Sequence, residues 1–244
     1  MKECSKSIIR RLHDANFIRS YFVGTGIDIG GKPDPLVLYQ ELFPRISSVR
    51  TWDIEDGDAQ FMASVADETF DFVHSSHCLE HLCEPVVALQ NWLRILRPGG
   101  HLVVTVPDED LYEQGVFPST FNRDHKWTFT ILKQHSWSSC SLNILDLLQQ
   151  LSDVCDVRKV AVHDETYRYG LPRYDQSLTP VAEVSIEIVL RKRTDRECRE
   201  GGRLPETGQP SEEVRIHLNQ YCDDQQTLRR SNADLPPFKN DKLL

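Results

Sequence analysis

Residues 84–107 read EPVVALQNWLRILRPGGHLVVTVP, and this stretch limits the fold more than any other part of the chain. Val86, Leu89, Trp92, Leu93 and Leu96 recur at helical spacing, with Pro85 at the start and RPGG (97–100) as the stop. HLVVTVP (101–107) follows at once and is apolar at successive positions, the pattern of a strand covered on both faces. A helix that returns through a tight turn into such a strand is half of a βαβ unit, and repeated units build a mostly parallel sheet with helices over it.

Other segments continue the series. VGTGIDI (23–29), SVRTWD (48–53) and FDFVHSS (70–76) read as strands, and PLVLYQELF (35–43) and SLNILDLLQQL (141–151) as helices. CDVRKVAVH (155–163) and EVSIEIVLRKR (183–193) alternate with no helical pattern between them, which predicts an antiparallel edge. Residues 1–22 predict a short amphipathic helix with Ile8, Ile9, Leu12 and Phe17 on one face. From residue 194 to 244 the chain turns polar and charged, which predicts a largely disordered tail with a helical pattern near 211–230. The expected organisation is therefore a helix (1–22), one α/β domain (23–193) and a tail (194–244).

Composition narrows the class. At 244 residues and 39% hydrophobic, the chain has enough apolar surface for one sizeable core. It has no run of 18 apolar residues, so no membrane span is expected. The first residues, MKECSKSIIRRLHDANF, carry charges where a secretory signal needs an apolar stretch. A net charge of −9 disfavours nucleic acid and anionic membranes as partners. The seven cysteines are scattered, odd in number and without a CxxC pair, as expected of reduced thiols in the cytoplasm. Oligomeric state is not legible.

At the end of the first strand, GIDIGGKPDPL (26–36) puts two glycines where backbone can come close to a ligand. Counting from Gly24 or from Gly26, the third glycine of a dinucleotide fingerprint is missing, so a pyrophosphate is not the expected ligand. Asp28 is instead a partner for a positive group. Asp53, just past the second strand, suits a pair of ribose hydroxyls because a carboxylate only accepts hydrogen bonds.

The ordered set of GIDIGG, TWDIEDGDAQFM (51–62), DETFDFVHSSHCLEHL (67–82) and LRPGGHLVVTVP resembles the class I S-adenosylmethionine-dependent methyltransferases, in their small-molecule branch. The likeness extends over roughly residues 23–192 and is strongest over 67–107. It implies a Rossmann-like, doubly wound α/β fold with a mostly parallel seven-stranded sheet and an antiparallel edge strand. It implies S-adenosyl-L-methionine as cofactor, with Asp28, Gly30 and Gly31 at its methionine end. Asp53 or, because the loop is short, Glu55 would hold the ribose, and Asp58 with Ala59 would lie beside the adenine. Ser75, Ser76 and His77 would line the loop between cofactor and acceptor. Lys32 and Asp34 stand where the family usually has further glycines.

Methyl transfer needs a positioned acceptor and, for many acceptors, a base. His77, His81 and His125 are the candidates, and His125 is favoured because FNRDHKWTFT (121–130) mixes both charges with aromatics in a long post-strand segment. His77 is next and His81 reads as structural. A small polar acceptor is expected, with a sugar hydroxyl of glycan or polysaccharide biosynthesis preferred. Two other classes compete. HCLEH (77–81) matches an inverted zinc-hydrolase pattern, with His77 and His81 sharing a metal if helical. The missing glycines suit a cofactor-binding scaffold without catalysis. The transferase interpretation explains LEHL before a proline-started helix, and no metal is expected.

Overall fold

In the computed structural model, residues 2–205, 208, 211 and 212 are described. The main sheet contains β1 (Gly24–Ile29), β2 (Ile46–Trp52), β3 (Phe70–Ser76), β4 (Leu96–Pro107), β7 (Cys155–His163) and β8 (Ser185–Lys192). Their order is β2-β1-β3-β4-β8-β7. The first four are mutually parallel, and β8 runs antiparallel to both β4 and β7, so the antiparallel pairing falls at the predicted edge. The sheet has six strands, not seven. Residues 53–69, between β2 and β3, form only turns, and a further βαβ unit needs about 30 residues or more. A second, two-stranded sheet pairs β5 (Thr128–Thr130) with β6 (Ser141–Asn143).

Helices cover both faces. On one side, α2 (Pro85–Arg94) and α3 (Ile144–Gln149) pack Leu89, Trp92, Leu93 and Leu147 against Ile27, Val73, Leu102, Val104 and Ile188. On the other, α1 (Cys4–His13) and a 3₁₀ segment (Leu36–Leu42) meet Phe72, Val103 and Val189 through Ile8, Leu36 and Phe43. The helix expected over 35–43 is thus a tighter 3₁₀ turn, anchored mainly by Leu36. The helix expected over 84–100 stops at Arg94, and RPGG already lies in β4 around a register shift.

The buried face of α1 is Cys4, Ser7, Ile8 and Arg11, while Ile9 is 70% exposed. Arg11 replaces the apolar residue that periodicity calls for because its guanidinium finds three partners inside. It donates to Glu187 (2.9 Å), to Thr105 Oγ1 (3.1 Å) and to His74 Nε2 (3.0 Å). Arg10 adds pairs with Glu183 (2.7 Å) and Glu187 (2.8 Å), and Lys159 reaches Glu187 at 3.1 Å. A buried charge is tolerated only when paired and hydrogen-bonded in this way.

After β8, α4 (Asp195–Glu200) opens with a reciprocal capping box between Thr194 and Glu197, and Arg191 holds Glu197 at 3.1 Å. The start of the tail expected to be disordered from 194 is therefore this capped helix, because Arg191 and the Thr194–Glu197 box give its polar residues partners, while most of 206–244, including nearly all of the helical pattern near 211–230, lies outside the described residues. Among the described residues no helix is long and apolar enough to cross a membrane.

Candidate active site

β1 connects to β2 on one side and β3 to β4 on the other, so strand order reverses between β1 and β3. Crevices at such a switch point, past the strands' carboxyl ends, are where open α/β sheets take ligands. Two adjoining cavities occur there, of about 680 and 190 Å³, sharing Gly30, Lys32, His77 and His81 in their walls.

The larger cavity has Trp52, Ala59, Cys78 and Leu82 as apolar walls and Asp53 and Asp58 as acids. Asp53 caps its own loop: Oδ2 accepts from the Lys32 N–H (2.9 Å) and Oδ1 from the Ile54 N–H (2.8 Å). Glu55, the alternative ribose ligand, is outside the cavity walls and pairs with Lys32 at 3.0 Å on the surface. Asp58 Oδ1 accepts from the Gln60 N–H (2.7 Å), and the Ala59 carbonyl accepts from Trp92 Nε1 (2.8 Å). Trp52 is buried and donates to the Gly57 carbonyl (3.2 Å), so the wall is held from behind.

Asp28 is 1% exposed, and both its oxygens already accept: Oδ2 from the Leu36 N–H (2.6 Å), Oδ1 from His74 Nδ1 (2.6 Å). Arg11 can only donate to His74 Nε2, so the ring's proton is assigned to Nδ1. The chain Arg11–His74–Asp28–Leu36 fixes the turn that carries Gly30 and Gly31. Ser75 faces inward and donates to the Ile29 carbonyl (3.0 Å), away from both cavities. Ser76 lines the smaller cavity and His77 both.

The smaller cavity is polar. Residues 125–127 are stitched to 80–82: the Lys126 N–H donates to the Glu80 carbonyl (2.9 Å), Trp127 Nε1 to the Leu82 carbonyl (3.0 Å), and Lys126 Nζ to the His81 carbonyl. This brings His125, buried, against the end of β3. Its Nδ1 lies 2.7 Å from Glu113 Oε1, and its ring meets those of His81 and Tyr112 at 4.9 and 5.2 Å. At the centre is Glu80, 0% exposed, with neither carboxylate oxygen hydrogen-bonded among the described residues. His77 Nδ1, His125 Nε2 and His81 Nε2 surround its Oε1 at 3.5, 3.9 and 4.0 Å. Burial opposes the charge on Glu80, but the three imidazoles overcome it and hold the carboxyl below its ordinary range. Burial likewise opposes charge on His77, and the carboxylates of Glu80 and Glu3 outweigh it, so His77 is raised. His77 sits at φ 54°, a left-handed conformation that costs a β-carbon residue about 1–2 kcal/mol and aims the ring into the cleft.

The structure therefore gathers His77, His81, His125, Ser76, Gly30, Gly31, Asp53, Asp58 and Ala59 around one cleft and leaves Ser75 out. Glu80 and Trp52 are also in the cleft and were missed as site residues, although HCLEHL and TWD, the motifs that contain them, gave a local signal. Glu3, Cys4, Tyr112 and Glu113 have no such local signal, because only tertiary packing brings them to the cleft.

A family profile described as a methyltransferase domain matches residues 13–151. No curated protein sequence matches the chain. Among solved structures, a SAM-dependent methyltransferase from Archaeoglobus fulgidus aligns at 18% identity and a TM-score of 0.50, covering 79% of this chain and 95% of that one. Another SAM-dependent methyltransferase, from Thermotoga maritima, aligns at 16% identity and a TM-score of 0.44, with 76% and 89% covered.

Proposed function

The chain belongs to the family of methyltransferase domains, with S-adenosylmethionine as cofactor, and on that premise we propose that it methylates a hydroxyl of a small polar acceptor, a sugar being the substrate class to test first. The observation that carries this is the pairing of an apolar cavity bearing two acids with an imidazole-lined cavity at the β1/β3 switch point. The larger cavity falls in the ~300–1,000 Å³ range of small-molecule sites. Its lining residues fit an adenosine: Trp52 and Leu82 would lie against the base, Ala59 and Asp58 at its edge, and Asp53 would accept from the ribose hydroxyls. The Gly30–Gly31 turn, held by Asp28, offers backbone to the methionine end. When bound, the cofactor supplies an electrophilic methyl on a sulfonium sulfur. His77 and Ser76 border both regions, and His125, kept in register by Glu113, acts on the acceptor and not on the cofactor. Six free thiols, among the described cysteines, support a reducing, cytoplasm-like compartment.

Titration with S-adenosylhomocysteine tests the cofactor half. Asp53→Ala is expected to weaken binding by about 10- to 150-fold, the equivalent of ~1.5–3 kcal/mol for a lost charged hydrogen bond, while Glu55→Ala leaves it unchanged. The reverse result would move the ribose to Glu55. For the acceptor half, nucleotide sugars and free glycosides are assayed for methylation. With an accepted substrate, His125→Ala should lower turnover about a hundredfold or more at unchanged S-adenosylhomocysteine affinity. Tight cofactor binding with no turnover on any acceptor would favour a non-catalytic role.

A further inference from the structure

We propose that Glu80, His81 and His125 form a site for a divalent transition-metal ion in the wall of the smaller cavity. One ligand atom from each lies within 4.8 Å of the others. Glu80 supplies the strongest reason: it is a fully buried carboxylate whose two oxygens have no hydrogen-bond partner among the described residues, which leaves both free to ligate an ion. The two ligand imidazoles, His125 Nε2 and His81 Nε2, stand 3.9 and 4.0 Å from its Oε1, too far for hydrogen bonds. Ligand atoms around a tetrahedral ion with bonds of about 2.0–2.1 Å are separated by roughly 3.4 Å, so side-chain movements that shorten the separations, 4.8 Å at most, by up to about 1.4 Å close the site.

The surroundings are those of a metal site. Glu113 takes the Nδ1 side of His125 at 2.7 Å and leaves Nε2 facing Glu80, the carboxylate–histidine arrangement that orients metal-bound imidazoles. The contacts from 125–127 to 80–82 hold two of the three ligands in place without the ion. Two imidazoles and one carboxylate suit zinc, iron(II), cobalt or manganese better than magnesium or calcium, which prefer oxygen alone. The zinc-hydrolase geometry is not reproduced. His77 is left-handed and residues 79–81 are a single 3₁₀ turn, so His77 and His81 do not share a helix face, and the second imidazole comes from His125.

Three protein ligands leave a position open to the cavity. On the transferase interpretation above, which this second step rests on, that position takes the acceptor hydroxyl. The ion lowers the hydroxyl's pKa, its proton passes to solvent, and the oxygen forms its bond to the methyl carbon. The carbon–sulfur bond of the sulfonium cofactor breaks as it does so, and its electron pair stays on sulfur.

The test is titration of chelator-dialysed protein with Co²⁺ alone, read by visible d–d absorption, with S-adenosylhomocysteine affinity measured on the same samples. One equivalent should bind, with Glu80→Gln and His125→Ala each weakening it about a hundredfold or more and Glu113→Gln about 10- to 100-fold. If Glu80→Gln fails to fold, His81→Ala, at a half-buried position, gives the same readout. Absence of binding, unchanged binding in the ligand variants, or a thiolate charge-transfer band would overturn the site. S-adenosylhomocysteine binding without cobalt binding would overturn it while leaving the transferase function standing. Cobalt binding without S-adenosylhomocysteine binding would support the metal site and overturn the function instead.

Discussion

Glu187→Gln is expected to cost about 3–5 kcal/mol of folding free energy, a large part of the ~5–15 kcal/mol that stabilises an ordinary domain. Glutamine keeps the shape but removes the charge on which Arg10, Arg11 and Lys159 converge at 2.8, 2.9 and 3.1 Å. Glu183 and Asp14 complete the balance by pairing with Arg10 and Lys159, but both are more exposed than Glu187. Arg11, 0% exposed, would then be a buried cation with uncharged acceptors alone in direct contact: the glutamine carbonyl, Thr105 Oγ1 and His74 Nε2. Burial opposes ionisation of Glu187, yet Arg11, Arg10 and His163 hold its carboxyl well below the ordinary range. A carboxylate with a depressed folded pKa contributes stability that is complete above its unfolded pKa, about 4.3, and is lost as pH falls toward the folded value. Urea melts from pH 7 downward should therefore show wild-type stability falling below about pH 5 and a flatter acid limb in Glu187→Gln. Glu183→Gln is the control, with a smaller loss because only the outer Arg10 pair goes. An equal effect of the two substitutions would mean that burial of Glu187 is not what makes it important.

This network also marks where the sequence stops being legible. The parallel series, the antiparallel β7/β8 pairing and the unit 84–107 could be read because each rests on local periodicity. The missing strand was visible only as a short Asp53–Asp58 spacing. Arg11 defeats a periodicity argument: it occupies an inward position of α1 that Ile9 was expected to take, and its partners Glu187, Thr105 and His74 come from three strands. The site divides similarly. Asp53, Asp58, His77 and His125 stand out as polar residues past strand ends. Glu113 and Glu3 complete the smaller cavity only through packing, and Glu80 inside HCLEH gains meaning only once the 125–127 segment is bonded to 80–82. HCLEH also misleads as a helical pattern, because His77 leaves β3 in a left-handed conformation.

The glycine pair has a packing role that its place at a strand end does not announce, and its substitution has the other large expected effect. Glycine at strand ends suggests room for a ligand. At Gly30, however, a β-carbon would meet Cys78 Cβ at 2.7 Å and Sγ at 2.9 Å, and at Gly31 it would meet Asp28 Oδ2 at 2.6 Å. The missing side chains make room for the protein itself, so that the turn can press onto Cys78 and the buried Asp28. Gly30 also has φ +72°, which adds about 1–2 kcal/mol of strain for any other residue. With overpacking of ~1–3 kcal/mol, Gly30→Ala should cost about 2–5 kcal/mol, offset slightly by lower entropy of the unfolded chain. A double-mutant cycle separates the two causes. Cys78→Gly removes the atoms in collision but not the backbone strain, so Gly30→Ala should cost only the strain, about 1–2 kcal/mol, in that background. Urea melts of the four proteins give the coupling directly, and a value near zero would mean that Cys78 yields without cost. Because the added carbon points at Cys78, S-adenosylhomocysteine affinity should differ little between the double variant and Cys78→Gly alone. A loss of tenfold or more between those two would instead put the ligand in the space that Gly30 leaves open.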